Sequence, residues 1–207
     1  KPASFNAPRL QPQLRGLALG HRSRAPSPAR GERAGIDITH LIALERVGPS
    51  RAGPCYNMRG RDITSHMAPA HRLFERNHND GRPALTTIGI GDGGNEIGMG
   101  KISPGVIGRN IPNGELIACR VPTDHLIVCG VSNWGAYALA AGVALVRGAK
   151  LDPALFDLEK EREYLRIMVE QGPLVDGVTA QQTVTVDGLS FEEYAKPLVR
   201  IRDILGV

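Results

Sequence analysis

The densest chemistry in the chain lies in eleven residues, Gly91-Asp92-Gly93-Gly94-Asn95-Glu96-Ile97-Gly98-Met99-Gly100-Lys101. Five glycines in eleven suit neither a helix nor a strand interior. At this density, successive backbone N–H groups can converge on an anion. Asp92, Asn95 and Glu96 put two carboxylates and an amide within five positions, and Lys101 adds a cation. Carboxylates beside such a cradle serve a divalent cation or general acid–base work; the plainer alternative is a turn with satisfied Asp and Asn side chains. The segment is not a P-loop, because Ile102 stands where Ser or Thr is required.

Two further segments follow short apolar runs. Glu45-Arg46 ends the run His40-Leu41-Ile42-Ala43-Leu44 and is either a surface ion pair or part of a site. Gly130-Val131-Ser132-Asn133-Trp134-Gly135 follows His125–Cys129. Ser132 or Asn133 could cap a helix there, or the helix start could face a carboxylate with its exposed N–H groups. Trp134 is a pocket wall or a core residue. No GxSxG is present, and no Ser–His–Asp or Cys–His order stands out. Cys55, Cys119 and Cys129 are odd in number and lack CxxC spacing, which argues against a disulfide framework and a zinc site.

Strands are expected at 40–44, 85–90, 116–119 and 125–129, with a final short one at 183–186. The strand at 40–44 reads as buried. Helices are expected from Pro69 to about Asn77, with Leu73 and Phe74 inward, from Val131 to Arg147, and from Asp152-Pro153 to Gln171. Ser190-Phe191-Glu192-Glu193 is a capping box, opening a helix with Tyr194, Leu198, Ile201 and Leu205 on one side. Short buried strands separated by loops and helices predict an α/β layered, Rossmann-like fold with a mostly parallel sheet flanked by helices. Ligands in such folds sit beyond the carboxyl ends of the strands, where all three segments fall. His40 and His125 lie at the opposite ends.

The 207 residues are enough for one ordinary domain. No apolar run approaches the ~20 residues of a membrane span. Residues 1–35 hold seven Lys or Arg against one acid, and the other 172 hold 18 against 20. The net charge of +4 therefore comes from a Pro/Arg-rich tail, not from a basic globular part, and nucleic acid is not an expected partner. The expected division is a basic tail at 1–35 and an α/β domain at 36–207. An Arg/Ser/Ala-rich, acid-poor start without an apolar core is compatible with an organelle address and argues against secretion. The cytoplasm or the mitochondrial matrix is expected.

Leu44-Glu45-Arg46-Val47-Gly48, Tyr56-Asn57-Met58-Arg59-Gly60, the 91–101 segment, Gly130–Gly135, Asp176-Gly177-Val178-Thr179 and Val186-Asp187-Gly188-Leu189 occur in one order. Together they resemble the C-terminal domain of the D-glutamate cyclase family, over roughly residues 36–205. Nothing in residues 1–35 is like the acid-and-glycine loop near the family domain's start, so its N-terminal part is expected to lie outside this sequence. The resemblance implies an enzyme turning D-glutamate into 5-oxo-D-proline and water, with a small-molecule amino acid as partner. That chemistry needs a base for the ammonium, donors or a cation for the oxyanion, and an acid for the departing hydroxide. Asp92 or Glu96 would be base and acid. The 91–94 and 98–100 backbone (including Gly93 and Gly94) and Lys101 would be oxyanion donors, with Asn95 beside them. Arg46, or the helix start at Ser132–Asn133 beside Trp134, would bind the α-carboxylate. Asp92, Glu96 and Glu45 could hold Mg²⁺ or Mn²⁺. The rival readings are a non-catalytic carboxylate- or phosphate-binding module and a nucleotide/Mg²⁺-dependent enzyme. An incomplete sheet would leave an edge that a homo-oligomer could cover.

Overall fold

Three short apolar segments pair as parallel strands, β1 (His40–Leu44), β2 (Thr86–Gly91) and β3 (His125–Val128), with β2 in the middle. The computed structural model describes residues 38–75, 85–150 and 152–206; the 1–35 segment lies outside them. The register pairs Leu44 with Ile90 and Gly91 with Val128, so all three strands end at one edge. The remaining elements are α1 (Pro104–Asn110), α2 (Gly114–Ile117), α3 (Ser132–Arg147), α4 (Leu158–Glu170), the hairpin strands β4 (Thr185–Val186) and β5 (Leu189–Ser190), and α5 (Phe191–Leu205). Helices lie on both sides of the sheet, which makes this an α/β layered fold.

Side chains alternate across a strand, and two glycines use that alternation. Ala43, Gly89 and Leu126 share one row, on the face that carries Ile97, Met99, Ile107, Ala118, Cys119 and Val121. A Cβ at Gly89 would stand 2.5 Å from the Ile97 carbonyl oxygen. The opposite row carries Ile90 and Ile127 toward α3, where a Cβ at Gly135 would stand 2.8 Å from Ile90. Bare backbone at both positions lets α3 and the 91–101 loop close on β2 from opposite faces. A second core, Val131, Leu165, Val169, Phe191, Tyr194, Ala195 and Leu198, joins the start of α3 to α4 and α5.

The capping box forms as expected, with Ser190 and Glu193 satisfying each other's backbone N–H. The strands at 40–44, 85–90 and 125–129 and the helix ending at Gly148 lie where the pattern puts them. Several expectations are corrected. Among the described residues β1 is an edge strand, not a buried one: only Ala43 is buried, and Ile42 is 50% exposed. The run 116–119 is not a strand. Asn113, at φ 59°, starts the turn of α2, whose Ile117 is fully buried, and Cys119 follows as a lone bridge to Ser50. A short apolar run is buried equally well either way, so periodicity does not separate the two.

The helix after Pro69 is one 3₁₀ turn, Ala70–Leu73, with Leu73 exposed and Phe74 against the first core; residues 76–84 lie outside the described ones. The 152–171 helix is two pieces. Asp152 caps a 3₁₀ turn, Pro153–Phe156, and Asp157 leaves helical backbone to cap α4 through Glu159 and Lys160 N–H. The strand expected at 183–186 shortens to Thr185–Val186 and pairs with a further strand, Leu189–Ser190. No helix among the described residues is long and apolar enough to cross a membrane.

Candidate functional site

The three strand ends deliver the site. After β1 the chain turns at Glu45, which sits at φ 49° while its N–H reaches the Ile90 carbonyl at 3.0 Å. That left-handed conformation costs a non-glycine residue about 1 kcal/mol. After β2 comes Asp92, and shortly after β3 α3 opens at Ser132. The 91–101 loop returns Glu96 to the same point. Carboxylate oxygens of Glu45, Asp92 and Glu96 lie within 4.8 Å of one another.

Glu96 has no exposed surface. Its Oε1 accepts from the N–H of Asp92 (3.0 Å) and of Gly93 (2.6 Å). Its Oε2 has no hydrogen-bond partner among the described residues. The cradle that the glycine spacing predicts therefore forms, and the anion in it is the loop's own carboxylate. The N–H groups of Gly98 and Gly100 both go to the Val121 carbonyl, and that of Met99 to the Glu96 carbonyl. A binding module that uses these amides for an external anion loses its donors.

The start of α3 does face a carboxylate, that of Asp92. Asp92 Oδ2 accepts from the Ser132 N–H at 3.0 Å and its hydroxyl at 3.1 Å. The same hydroxyl donates to Glu45 Oε2. A serine has one hydroxyl proton, so one of these two oxygens needs a proton or a cation from elsewhere. Glu45 is exposed as a residue, but desolvation of its carboxyl by the surrounding protein first, and then the charges of Glu96, Asp92 and Asp187, push that carboxyl up to about 7, against the lowering effect of Ser132. Among the described residues no Lys, Arg or His pairs with any of these acids. A buried carboxylate oxygen without a partner, beside two more carboxylates and no base, fits a hard divalent cation such as Mg²⁺ or Mn²⁺.

A fourth acid comes from the Val186-Asp187-Gly188-Leu189 segment, which the sequence singled out only through the family resemblance. Asp187 and Gly188, at φ 52° and 79°, join β4 to β5. Asp187 is exposed as a residue, but desolvation by the protein around its carboxyl raises it, and the charges of Asp92 and Asp176 raise it further. The hairpin is held by Asp176, which is 4% exposed. Its Oδ1 accepts from Val178 and Thr179 N–H, and its Oδ2 from the Thr185 hydroxyl and Gly188 N–H, at 2.7–3.0 Å. Burial alone would raise this carboxyl; the four hydrogen bonds outweigh it and hold Asp176 well below the usual carboxylate range. The Asp-Gly pair at 187–188 was the available sequence signal, but a turn signal does not say what the turn faces.

A family model described as D-glutamate cyclase-like, C-terminal, matches residues 14–202. The chain belongs to this family. The human mitochondrial D-glutamate cyclase is 33% identical over 186 residues, which covers 80% of this chain and 30% of that protein. The chain thus spans less than a third of that relative's length. The match opens inside the basic 1–35 segment and takes in all the acids described above.

Within this D-glutamate cyclase-like domain, the other expected site residues separate. Lys101 donates to the Asp124 carbonyl oxygen. Asp124 in turn accepts from Thr87 N–H and hydroxyl, at the start of β2. At ~3.3 Å per residue, that is roughly 16 Å from Asp92. Arg46 points away, to the Ala68 carbonyl at 2.7 Å. Asn95, 4% exposed, ties the loop to the Tyr56 carbonyl at 2.8 Å. The Gly94 carbonyl accepts from Cys119 N–H at 2.9 Å. Asn133 reaches the Tyr194 hydroxyl, and the Trp134 indole donates to the Tyr194 carbonyl at 2.9 Å. Trp134 packs on the second core. Glu45, Asp92, Gly93, Glu96 and Ser132 converge; the remaining expected residues brace the scaffold around them.

Proposed function

We propose that this domain converts D-glutamate to 5-oxo-D-proline and water, a carbon–oxygen hydro-lyase reaction, at the Glu45–Asp92–Glu96 centre. The observation that carries the reading is the gathering of three carboxylates within 4.8 Å, one of them fully buried with an unpartnered oxygen. Family membership and the name of the human relative support D-glutamate as the substrate. Asp92 and Glu96, with Glu45 beside them, would hold Mg²⁺ or Mn²⁺. When bound, the cation supplies Lewis-acid polarisation of the γ-carboxyl and a counter-charge for its oxyanion.

The chain's own residues do the rest. Glu96 is pinned by two N–H groups and keeps Oε2 directed to a ligand rather than to the loop. Ser132 fixes the spacing of Glu45 and Asp92. Glu45 is the exposed member of the three, and it is placed to relay two protons in turn from the substrate nitrogen, one before and one after the C–N bond forms, to the γ-carboxyl oxygen that departs as water. Closing the five-membered ring requires amine and γ-carboxyl in contact, which a compact centre at one sheet edge favours. The proposal extends to location, the mitochondrial matrix or the cytoplasm, and to a second copy of the chain pairing on the outer edge of β1 or β3.

The test is NMR of the full chain with D-glutamate, with and without Mn²⁺. Metal-dependent 5-oxoproline that vanishes in Asp92→Asn is the expected result. Product formed equally well by that variant, or no product under any metal condition, defeats the reading.

A further inference from the structure

We propose that Asp187 is the anchor for the substrate's ammonium group, held at the rim of the acidic centre by the β4–β5 hairpin. This rests on the reading that the centre acts on an α-amino acid.

The first support is how the residue is held. Asp187 and Gly188 both take left-handed conformations, the pattern of a type I′ hairpin turn. Asp176 grips that turn from both sides, through the Thr185 hydroxyl at 2.7 Å and the Gly188 N–H at 2.8 Å. The same carboxylate fixes Val178 and Thr179 N–H, and Arg59 donates to the Val178 carbonyl at 2.9 Å. The tip is therefore a braced platform rather than a free loop.

The second support is position. Val186, one residue before Asp187, lines a cavity of about 60 Å³ together with Asn133, one residue after Ser132. Val186 and the first turn of α3 thus share one cavity wall, and the Asp187 charge is felt at Glu45 while that of Asp92 is felt at Asp187. Yet Asp187 is not among the three carboxylates gathered within 4.8 Å, and it is exposed. The unpartnered Oε2 of Glu96 marks the inner group as the place for a metal ion. A carboxylate just outside it, with no Lys or Arg paired to it among the described residues, suits an ammonium, a compact cation with three donors. Anchoring the amine there would leave the γ-carboxyl to reach the inner acids. No sequence spacing joins residue 187 to residues 45, 92 and 96; the topology does.

The test uses the full chain, Asp187→Asn, and isothermal titration with three probes: Mn²⁺, D-glutamate with Mn²⁺ present, and glutarate, the same dicarboxylate without the amine. Asn tolerates a left-handed backbone, so the hairpin should persist, and a melting curve checks this. Manganese affinity is expected to stay within about twofold, D-glutamate affinity to fall at least about tenfold, the size of a lost charge-assisted hydrogen bond, and glutarate affinity to hold. Equal losses for D-glutamate and glutarate would mean that Asp187 acts through shape alone and would overturn the proposal. A tenfold loss of manganese affinity would make it a metal ligand and overturn it as well. If the wild type binds D-glutamate and the variant binds it equally, only the anchor fails. If the wild type binds neither dicarboxylate, the proposed function fails and takes the anchor with it.

Discussion

Glu96 and Asp176 are both buried carboxylates in glycine-bearing turns, and the fold treats them in opposite ways. Asp176 receives four hydrogen bonds, two on each oxygen, from a loop and hairpin wrapped around it. Glu96 receives two, both on Oε1, and faces two more acids with Oε2 unpartnered. A carboxylate whose acceptor sites are filled by its own chain is a structural pin. One left short of donors among like charges keeps acceptor capacity that no described residue fills. Exposure does not tell the two apart, since both are nearly absent from the surface. The count of donors does.

Four experiments would break or sharpen that contrast. The largest effect is expected from Glu96→Gln. A glutamine oxygen can keep the Asp92 and Gly93 N–H contacts while the charge is lost. Formation of 5-oxoproline should fall by at least about 10²-fold, while the metal-free protein melts no lower than the wild type. A clear drop in melting temperature would instead make Glu96 a second pin.

Asp176→Asn should do the reverse, lowering stability by about 3 kcal/mol as charge-assisted bonds are lost and buried donors go unmet. Urea unfolding reads this directly, and an unchanged midpoint would dissolve the distinction. Third, Mn²⁺ at about 100 times its dissociation constant should stabilise the wild type by about 2.7 kcal/mol. Glu96→Gln should lose most of that gain and Asp187→Asn should keep it. Calorimetry that shows no gain in the wild type would remove the cation from the account.

The smallest effect concerns pH. Glu45 titrates near 7 when folded, against an ordinary value of 4.5. Between those values the folded state binds more protons than the unfolded one, so metal-free stability should decline as pH rises through that window. Asp176 has the opposite sign. Its folded value lies below the ordinary 3.8, so its contribution is full above that pH and fades as pH falls beneath it. Glu45→Gln should flatten the upper limb and Asp176→Asn the lower one. The Glu45 limb should be shallow because the side chain is exposed and solvent screens it. An upper limb untouched by Glu45→Gln would place the titrating group elsewhere.

Much of the scaffold was legible in the sequence because its signals are local. The Ser190–Glu193 capping box and the Gly148 stop of α3 involve neighbours along the chain. Three of the strands announced themselves as short apolar runs. Residues 116–119 did not, since a buried helical turn and a buried strand look alike over four residues. Of the site, Asp92 and Glu96 were legible from their place in the glycine segment. Lys101 looked like their companion because it is close in sequence. The 91–101 loop folds back along β2, however, and sets Lys101 against Asp124 at the other end of the sheet.

By itself, the sequence determined the α/β class, the glycine segment as the candidate chemical centre, and the family. Each of these is written in residue types and short spacings that hold in any conformation. Only the tertiary structure decided that the backbone cradle is filled by Glu96, and that Ser132 is shared between Glu45 and Asp92. It alone brought Asp187 into the field of the same acids. These facts depend on which strand ends meet at one edge of the sheet. That meeting is set by long-range packing through Gly89 and Gly135, where a single Cβ would push the layers apart.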